Sequence, residues 1–294
     1  MSYRDKQLMS LAGIDFSNKT LDDLKQLFRQ VLENGMHGLC FSLYADGQQP
    51  GDIIEPDQIR RRMEIIQPYT KWVRSFSCTE GNEHIPVIAK EFGIKTLVGG
   101  WLGKDDDINQ REMEGLIRLA KEGYVDIAAV GNEVLYRNDL SVDELLGFMH
   151  RVKQEIPDVP IGYVDAYYEF RSHPEVTEAC DVILANCYPF WEGCHIDYSL
   201  VYMKDMYHQA MAAGNGKRVI ITETGWPSQG EGVKSAHPSA EAFIKYFINA
   251  QQWSAAEDID MFYFSSFDES WKVGAEGDVG AYWGLWDKNE KLKF

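Results

Sequence analysis

The chain has 294 residues, 45% hydrophobic and 26% charged, with 15 Tyr, 8 Trp and 14 Phe and a net charge of −17. That length supports one large core or two modest ones. The negative charge repels phosphate backbones and anionic lipid heads, so it argues against nucleic-acid and membrane-surface partners while suiting a neutral substrate.

No apolar run approaches the roughly 18 residues of a membrane span, and Met1 to Gln7 lacks the apolar core of a signal peptide. The five cysteines (Cys40, Cys78, Cys180, Cys187, Cys194) form an odd set without CxxC spacing. Together these features predict reduced thiols in a cytoplasmic protein, unless a leader has been removed.

In chain order, apolar residues recur at helical spacing over 21–33 (Leu21, Leu24, Leu27, Phe28, Val31, Leu32). Strand-like and helix-like segments then alternate. Strands are predicted at 38–44, 72–77, 96–101, 125–131, 160–165, 181–188, 218–223 and 260–267. Helices are predicted at 57–66, 84–92, 108–121, from the capping-box residues Ser141 and Glu144 onward, and at 174–179, 198–212 and 239–253. Eight β segments with seven helices between them predict an α/β fold, a single (β/α)8 TIM barrel. The chain runs out soon after the eighth strand. The extra N-terminal helix is therefore expected to fill the vacant place on the outer ring, with 1–35 as a helical extension and 36–294 as the catalytic barrel.

In such barrels the reacting groups lie at the carboxyl ends of the strands. Those ends carry Tyr44, Asp46, Arg74, Ser77, Trp101, Asn132, Glu133, Asp165, Tyr188, Glu223, Trp226, Asp268, Glu269, Trp271 and Lys272. A rim rich in carboxylates and flat rings fits glycoside chemistry. Cleavage there passes through an oxocarbenium-like transition state and needs one carboxylic acid for the departing oxygen and one carboxylate for the anomeric carbon. Glu133 and Glu223 end two apolar strands that stand across the barrel from each other.

Other chemistries lack their residues. The seven histidines show no HxH or HExxH spacing, which argues against a metal, and no cofactor is expected. Gly99-Gly100 does not make a phosphate cradle, and no GxSxG elbow is present.

Gly131-Asn132-Glu133-Val134 and Glu223-Thr224-Gly225-Trp226-Pro227-Ser228 resemble the signatures of glycoside hydrolase family 17. The resemblance extends through Phe41 to Gln48, Tyr188-Pro189-Phe190-Trp191 and Phe267 to Lys272, spanning about residues 36–294. It is nearest to the bacterial branch of β-1,3-glucanases and transglucosylases.

The resemblance implies a retaining enzyme with Glu133 as acid/base and Glu223 as nucleophile. It also implies Asn132 on the sugar 2-hydroxyl, Tyr188 orienting Glu223, Glu269 and Lys272 as a polar pair beside the site, and Trp226 and Trp271 stacking on sugar faces. Tyr44, Arg74 and Asp165 complete the expected substrate contacts, with support of the rim carboxylates as the equal alternative for Arg74. Trp101, Trp191, Trp283 and Trp286 are expected in packing rather than binding. The function implied is hydrolysis of β-1,3-glucan or its oligosaccharides. Two alternatives are transglucosylation with the same glutamates and a non-catalytic glucan-binding barrel.

Overall fold

The computed structural model describes residues 13–294, apart from the Ala275 side chain; residues 1–12 of the predicted N-terminal extension lie outside the described residues. Eight parallel strands close into a barrel in sequence order: β1 (Met36–Cys40), β2 (Thr70–Ser75), β3 (Lys95–Gly100), β4 (Ile127–Asn132), β5 (Ile161–Ala166), β6 (Val182–Asn186), β7 (Arg218–Thr224) and β8 (Met261–Tyr263). The ring closes where Gly38 and Leu39 of β1 face Phe262 and Tyr263 of β8. Strand residues are almost wholly buried, as expected for a parallel sheet covered by helices.

Helices follow each of the first seven strands, Pro56–Ile66 after β1 through Ala240–Ala256 after β7. The sequence places most of them within one to three residues. The capping box at Ser141 is present, with Glu144 Oε2 accepting from Ser141 N at 2.7 Å. Strands β1 and β8 are shorter than their apolar runs predict. Of the residues beyond them, Phe41 to Tyr44 together with Phe264 and Ser265 leave the sheet to form the cleft wall, and Phe264 and Ser265 are joined by a cis peptide.

After β8 only short turns and the single-turn helix Val273–Glu276 occur. Helix Leu21–Glu33 packs instead against Ala240–Ala256 and against the short helix that precedes β2. Phe28 is fully buried and meets Phe247 at 4.7 Å and Phe294 at 5.9 Å between ring centres. The N-terminal helix thus covers the seam between β8 and β1, where an eighth barrel helix would lie.

Two strands carry an extra residue at their carboxyl ends: β4 between Ala129 and Asn132 against β5, and β7 after Ile221 against both β6 and β8. A bulge inserts one residue and re-aims the side chains after it. The two bulges deliver Glu133 and Glu223, and Asn186 pairs with Glu223 across the second.

Candidate active site

The carboxyl ends of the strands surround a cleft of about 1050 Å³, large enough for several sugar rings. Glu133 and Glu223 both line it. The Asn186 amide ties them together. Its Nδ2 donates to Glu133 Oε1 at 2.8 Å and lies 3.3 Å from Glu223 Oε1. Because both contacts share one nitrogen, the two carboxylate oxygens lie no further apart than 2.8 plus 3.3 Å, about 6.1 Å.

The two carboxyls have different surroundings. Glu223 receives Arg74 Nη1 at 2.6 Å on Oε1 and the Tyr188 hydroxyl at 2.8 Å on Oε2. Glu133 has no cation in contact with it among the described residues. Burial pushes its carboxyl up to about 7, and the charge on Glu223 adds to the rise, while the Asn186 amide opposes it. Burial and the nearby Glu223 charge also hold the Tyr188 phenol far above its ordinary value, so it remains a donor.

Arg74 is buried beneath the cleft and does not line it. Its Nη2 donates to Asn132 Oδ1 at 2.7 Å while Nη1 holds Glu223, and its guanidinium lies 4.1 Å from the Phe76 ring centre. Of its two expected roles the structure gives the support of rim groups and not the substrate contact: it is a brace between β4 and β7. A guanidinium with two nearby acceptors is better satisfied by them than by a neutral sugar.

Asp165 is also corrected. It is fully buried and accepts from Tyr163, from Ala166 N at 2.7 Å and from Tyr136 N at 3.3 Å, so it faces the backbone of neighbouring loops and not the cleft. Trp226 is corrected as well. It is 0% exposed, donates Nε1 to His237 O at 3.2 Å, and packs on Phe190 and Tyr246 outside the barrel. Strand alternation explains this, since Glu223 faces the cleft. Thr224 points outward to bond the Tyr246 hydroxyl, and Trp226, two residues on, follows the same side.

The remaining predicted contacts do line the cleft. Tyr44 meets Trp271 edge-on at 5.6 Å, and its backbone N–H donates to Glu269 Oε1 at 3.1 Å. Glu269 Oε2 pairs with Lys272 at 2.9 Å, and Lys272 Nζ sits 4.1 Å from the Phe264 ring centre. Buried Arg62 fixes this wall by donating to the carbonyls of Ser42 and Tyr44 at 2.8 and 3.1 Å.

Trp101, Trp191 and Trp283, expected in packing more than in binding, line the cleft, while Trp286 stays in the core. Trp101 and Trp191 are 37% and 38% exposed. Arg137 covers the Trp101 ring at 4.6 Å, and Trp191 is tilted over Trp283 at 5.5 Å.

Several lining groups escaped the sequence reading. Asn186 ends the apolar run Val182 to Ala185, the same signal that marks Asn132 and Glu223, but Tyr188 two residues on drew the assignment. Glu192 accepts from Tyr167 and Tyr202 at 2.9 and 2.7 Å. Glu112 accepts from Ser77, Thr79, Cys78 N and Trp101 N, which joins the loops after β2 and β3. Glu276, lifted to about 7 by burial and steadied by Lys272, completes the lining near β8.

A family model for the BtgE/BtgC glycoside hydrolase domain matches residues 38–284. The chain is 28% identical to a glucan 1,3-β-glucosidase of Schizosaccharomyces pombe over 282 residues, covering 89% of this chain and 86% of the relative. It is 25% identical to a glucan 1,3-β-glucosidase of Saccharomyces cerevisiae over 257 residues, covering 79% and 82%. Among solved structures it resembles the glycoside hydrolase family 17 β-1,3-glucanosyltransferase of Rhizomucor miehei, with a TM-score of 0.79, 28% identity, and 89% and 96% of the two chains covered. An active-site mutant of that enzyme in complex with laminaritriose aligns with a TM-score of 0.80 at 27% identity, with the same coverage.

Proposed function

The chain belongs to the BtgE/BtgC glycoside hydrolase family, in keeping with its resemblance to glycoside hydrolase family 17, and from that premise we propose that it cleaves β-1,3-linked glucan with retention of configuration. The observation that carries the mechanism is the shared Asn186 amide, which limits the gap between the Glu133 and Glu223 oxygens to about 6.1 Å. Retaining glycosidases hold their carboxyls about 5 to 5.5 Å apart, whereas inverting ones leave about 6.5 to 9.5 Å for a water.

In the first half-reaction Glu133, protonated near neutral pH, gives its proton to the glycosidic oxygen while Glu223 attacks the anomeric carbon. Arg74 and Tyr188 hold Glu223 on both of its oxygens and aim it. As the covalent ester forms, the charge on Glu223 disappears, and one cause of the high proton affinity of Glu133 goes with it. Glu133 then acts as base and removes a proton from the incoming hydroxyl. Asn132 supports the transition state from the side. With its Oδ1 engaged by Arg74, its Nδ2 is the donor for the 2-hydroxyl of the sugar being cleaved.

A second reading has the same first step and a sugar hydroxyl in place of water in the second, which makes the protein a transglucosylase. Support comes from the glucanosyltransferase activity of the Rhizomucor miehei neighbour and from the exposed rings Tyr136, Tyr168 and Trp191 along the cleft. Products longer than the starting laminari-oligosaccharide would identify transfer; products that are all shorter would identify hydrolysis.

The roles of the two glutamates are tested by substitution. Glu223→Ala abolishes turnover of natural substrates, and azide, entering the vacated space, restores it with an activated substrate as an α-glycosyl azide. A β-glycosyl azide from that variant would overturn the assignment of Glu223 as nucleophile.

A further inference from the structure

Glu133 occupies a backbone conformation that glutamate rarely adopts, with φ +52°, two residues after Gly131 at φ +82°. Its own N–H donates to Val164 O of β5 at 2.7 Å. The chain then coils into a tight turn in which Arg137 N reaches Glu133 O at 2.9 Å and Asp139 N reaches Val134 O at 3.0 Å. The amides of Leu135 and Tyr136, at the start of this turn, find their acceptors in β5. Leu135 N donates to the Tyr163 hydroxyl at 2.8 Å and Tyr136 N to Asp165 Oδ2 at 3.3 Å. The Tyr163 hydroxyl in turn donates to the same Asp165 oxygen. Tyr163 and Asp165 are 1% and 0% exposed, and among the described residues no Lys or Arg pairs with Asp165.

We propose that Tyr163 and Asp165 are a positioning pair for Glu133: together they cap the turn that holds the acid/base in its left-handed conformation. The proposal rests on the reading of Glu133 as acid/base. Two strand residues reach the turn's amides because side chains two apart on β5 share one face. The groups that face Glu133 are Glu223 from β7, Asn186 from β6, Arg137 from its own turn and Asp165 from β5. Those around Asp165 are Tyr163 and, further away, Glu169. Burial raises Asp165 itself to about 6, so it is largely ionised where Glu133 titrates.

The test compares wild type, Asp165→Asn and Tyr163→Phe on laminari-oligosaccharides and on aryl glycosides of graded leaving-group acidity, with Glu133→Gln as reference. For Asp165→Asn, kcat/KM on poor leaving groups falls tenfold or more, the dinitrophenyl substrate loses less than threefold, and the alkaline limb of the pH profile moves down by about half a unit or more, because a like charge beside Glu133 is gone. Tyr163→Phe shows the same dependence on leaving group. An unmoved alkaline limb, or a loss equal across all leaving groups in both variants, overturns the positioning role and leaves only a structural one. If Glu133→Gln itself loses rate equally on activated and natural substrates, the acid/base reading fails, and this inference with it.

Discussion

Arg74 and Glu223 form an ion pair 2.6 Å long beneath the cleft, with Arg74 almost fully enclosed. The pair is costly to break because each charge is left in a poor solvent when the other goes. Arg74→Met leaves Glu223 unpaired. We predict a loss of about 3 to 5 kcal/mol of stability by chemical denaturation and an activity loss far beyond that of any rim substitution. Arg74→Lys rescues stability only in part, because a single ammonium cannot span both Glu223 and Asn132.

Tyr188 is the other support of Glu223 and is easier to isolate. Removing its hydroxyl deletes one hydrogen bond to a charged group, worth about 1.5 to 3 kcal/mol. Tyr188→Phe should lower kcat by roughly 10- to 100-fold. KM should scarcely change, because the ring keeps its contacts with Phe264 and Trp283, while the thermal midpoint falls by a few degrees as the buried Glu223 oxygen loses its donor. Steady-state kinetics alongside calorimetry separate the two effects.

The elevated proton affinity of Glu133 makes stability depend on pH. Its folded carboxyl titrates at about 7 against an ordinary 4.5. The folded protein therefore holds the proton more tightly than the unfolded chain does. That contribution is fully present below about pH 4.5 and is lost as pH rises through 7. Glu133→Gln cannot ionise, so its stability advantage over wild type should be greater at pH 8 than at pH 5. Equal differences at both pH values would remove the basis for a protonated acid at neutrality. Activity on natural substrates should fall along an alkaline limb near the same value.

Trp226 and Trp191 separate core from cleft. Trp226→Ala empties a packed site and should cost about 3 to 5 kcal/mol, while any folded fraction keeps its affinity for glucan. Trp191→Ala should alter the thermal midpoint little but weaken binding of longer oligosaccharides, as seen by calorimetric titration. If Trp226→Ala weakened binding without destabilising, its placement in the core would be wrong.

Phe28 tests the N-terminal helix. Its ring is fully buried against Phe247 and Phe294, so Phe28→Ala should destabilise the barrel by about 3 to 5 kcal/mol. A single unfolding transition shifted as a whole would mean that helix and barrel unfold together. An early separate transition would make the helix an independent appendage.

The barrel was legible because each strand is a short apolar run closed by turn residues, and because each helix announces itself by spacing or cap, as at Ser141. The two cleft glutamates were legible because a carboxylate at the end of such a run, as in Val219 to Glu223, has no structural reason to be there. Side-chain direction beyond the strand ends was not legible. Bulges in β4 and β7 shift the alternation by one residue, and from Glu223 onward it resumes, which sends Thr224 and Trp226 outward. Arg74 and Asp165 look like rim residues in the linear order. Only the closed barrel shows that Arg74 spans from β2 to partners on β4 and β7, and that Asp165 turns to the backbone after β4.

The most direct test of the central claim is covalent capture of the intermediate with an activated 2-deoxy-2-fluoro glycoside of a β-1,3-linked disaccharide, followed by peptide mapping. The 2-fluorine slows both half-reactions, and the good leaving group lets the first proceed, so the glycosyl-enzyme accumulates. We predict one glycosyl unit per chain, attached to Glu223. Attachment to Glu133 or another carboxylate, or turnover with inverted product and no adduct, would contradict the two-glutamate mechanism.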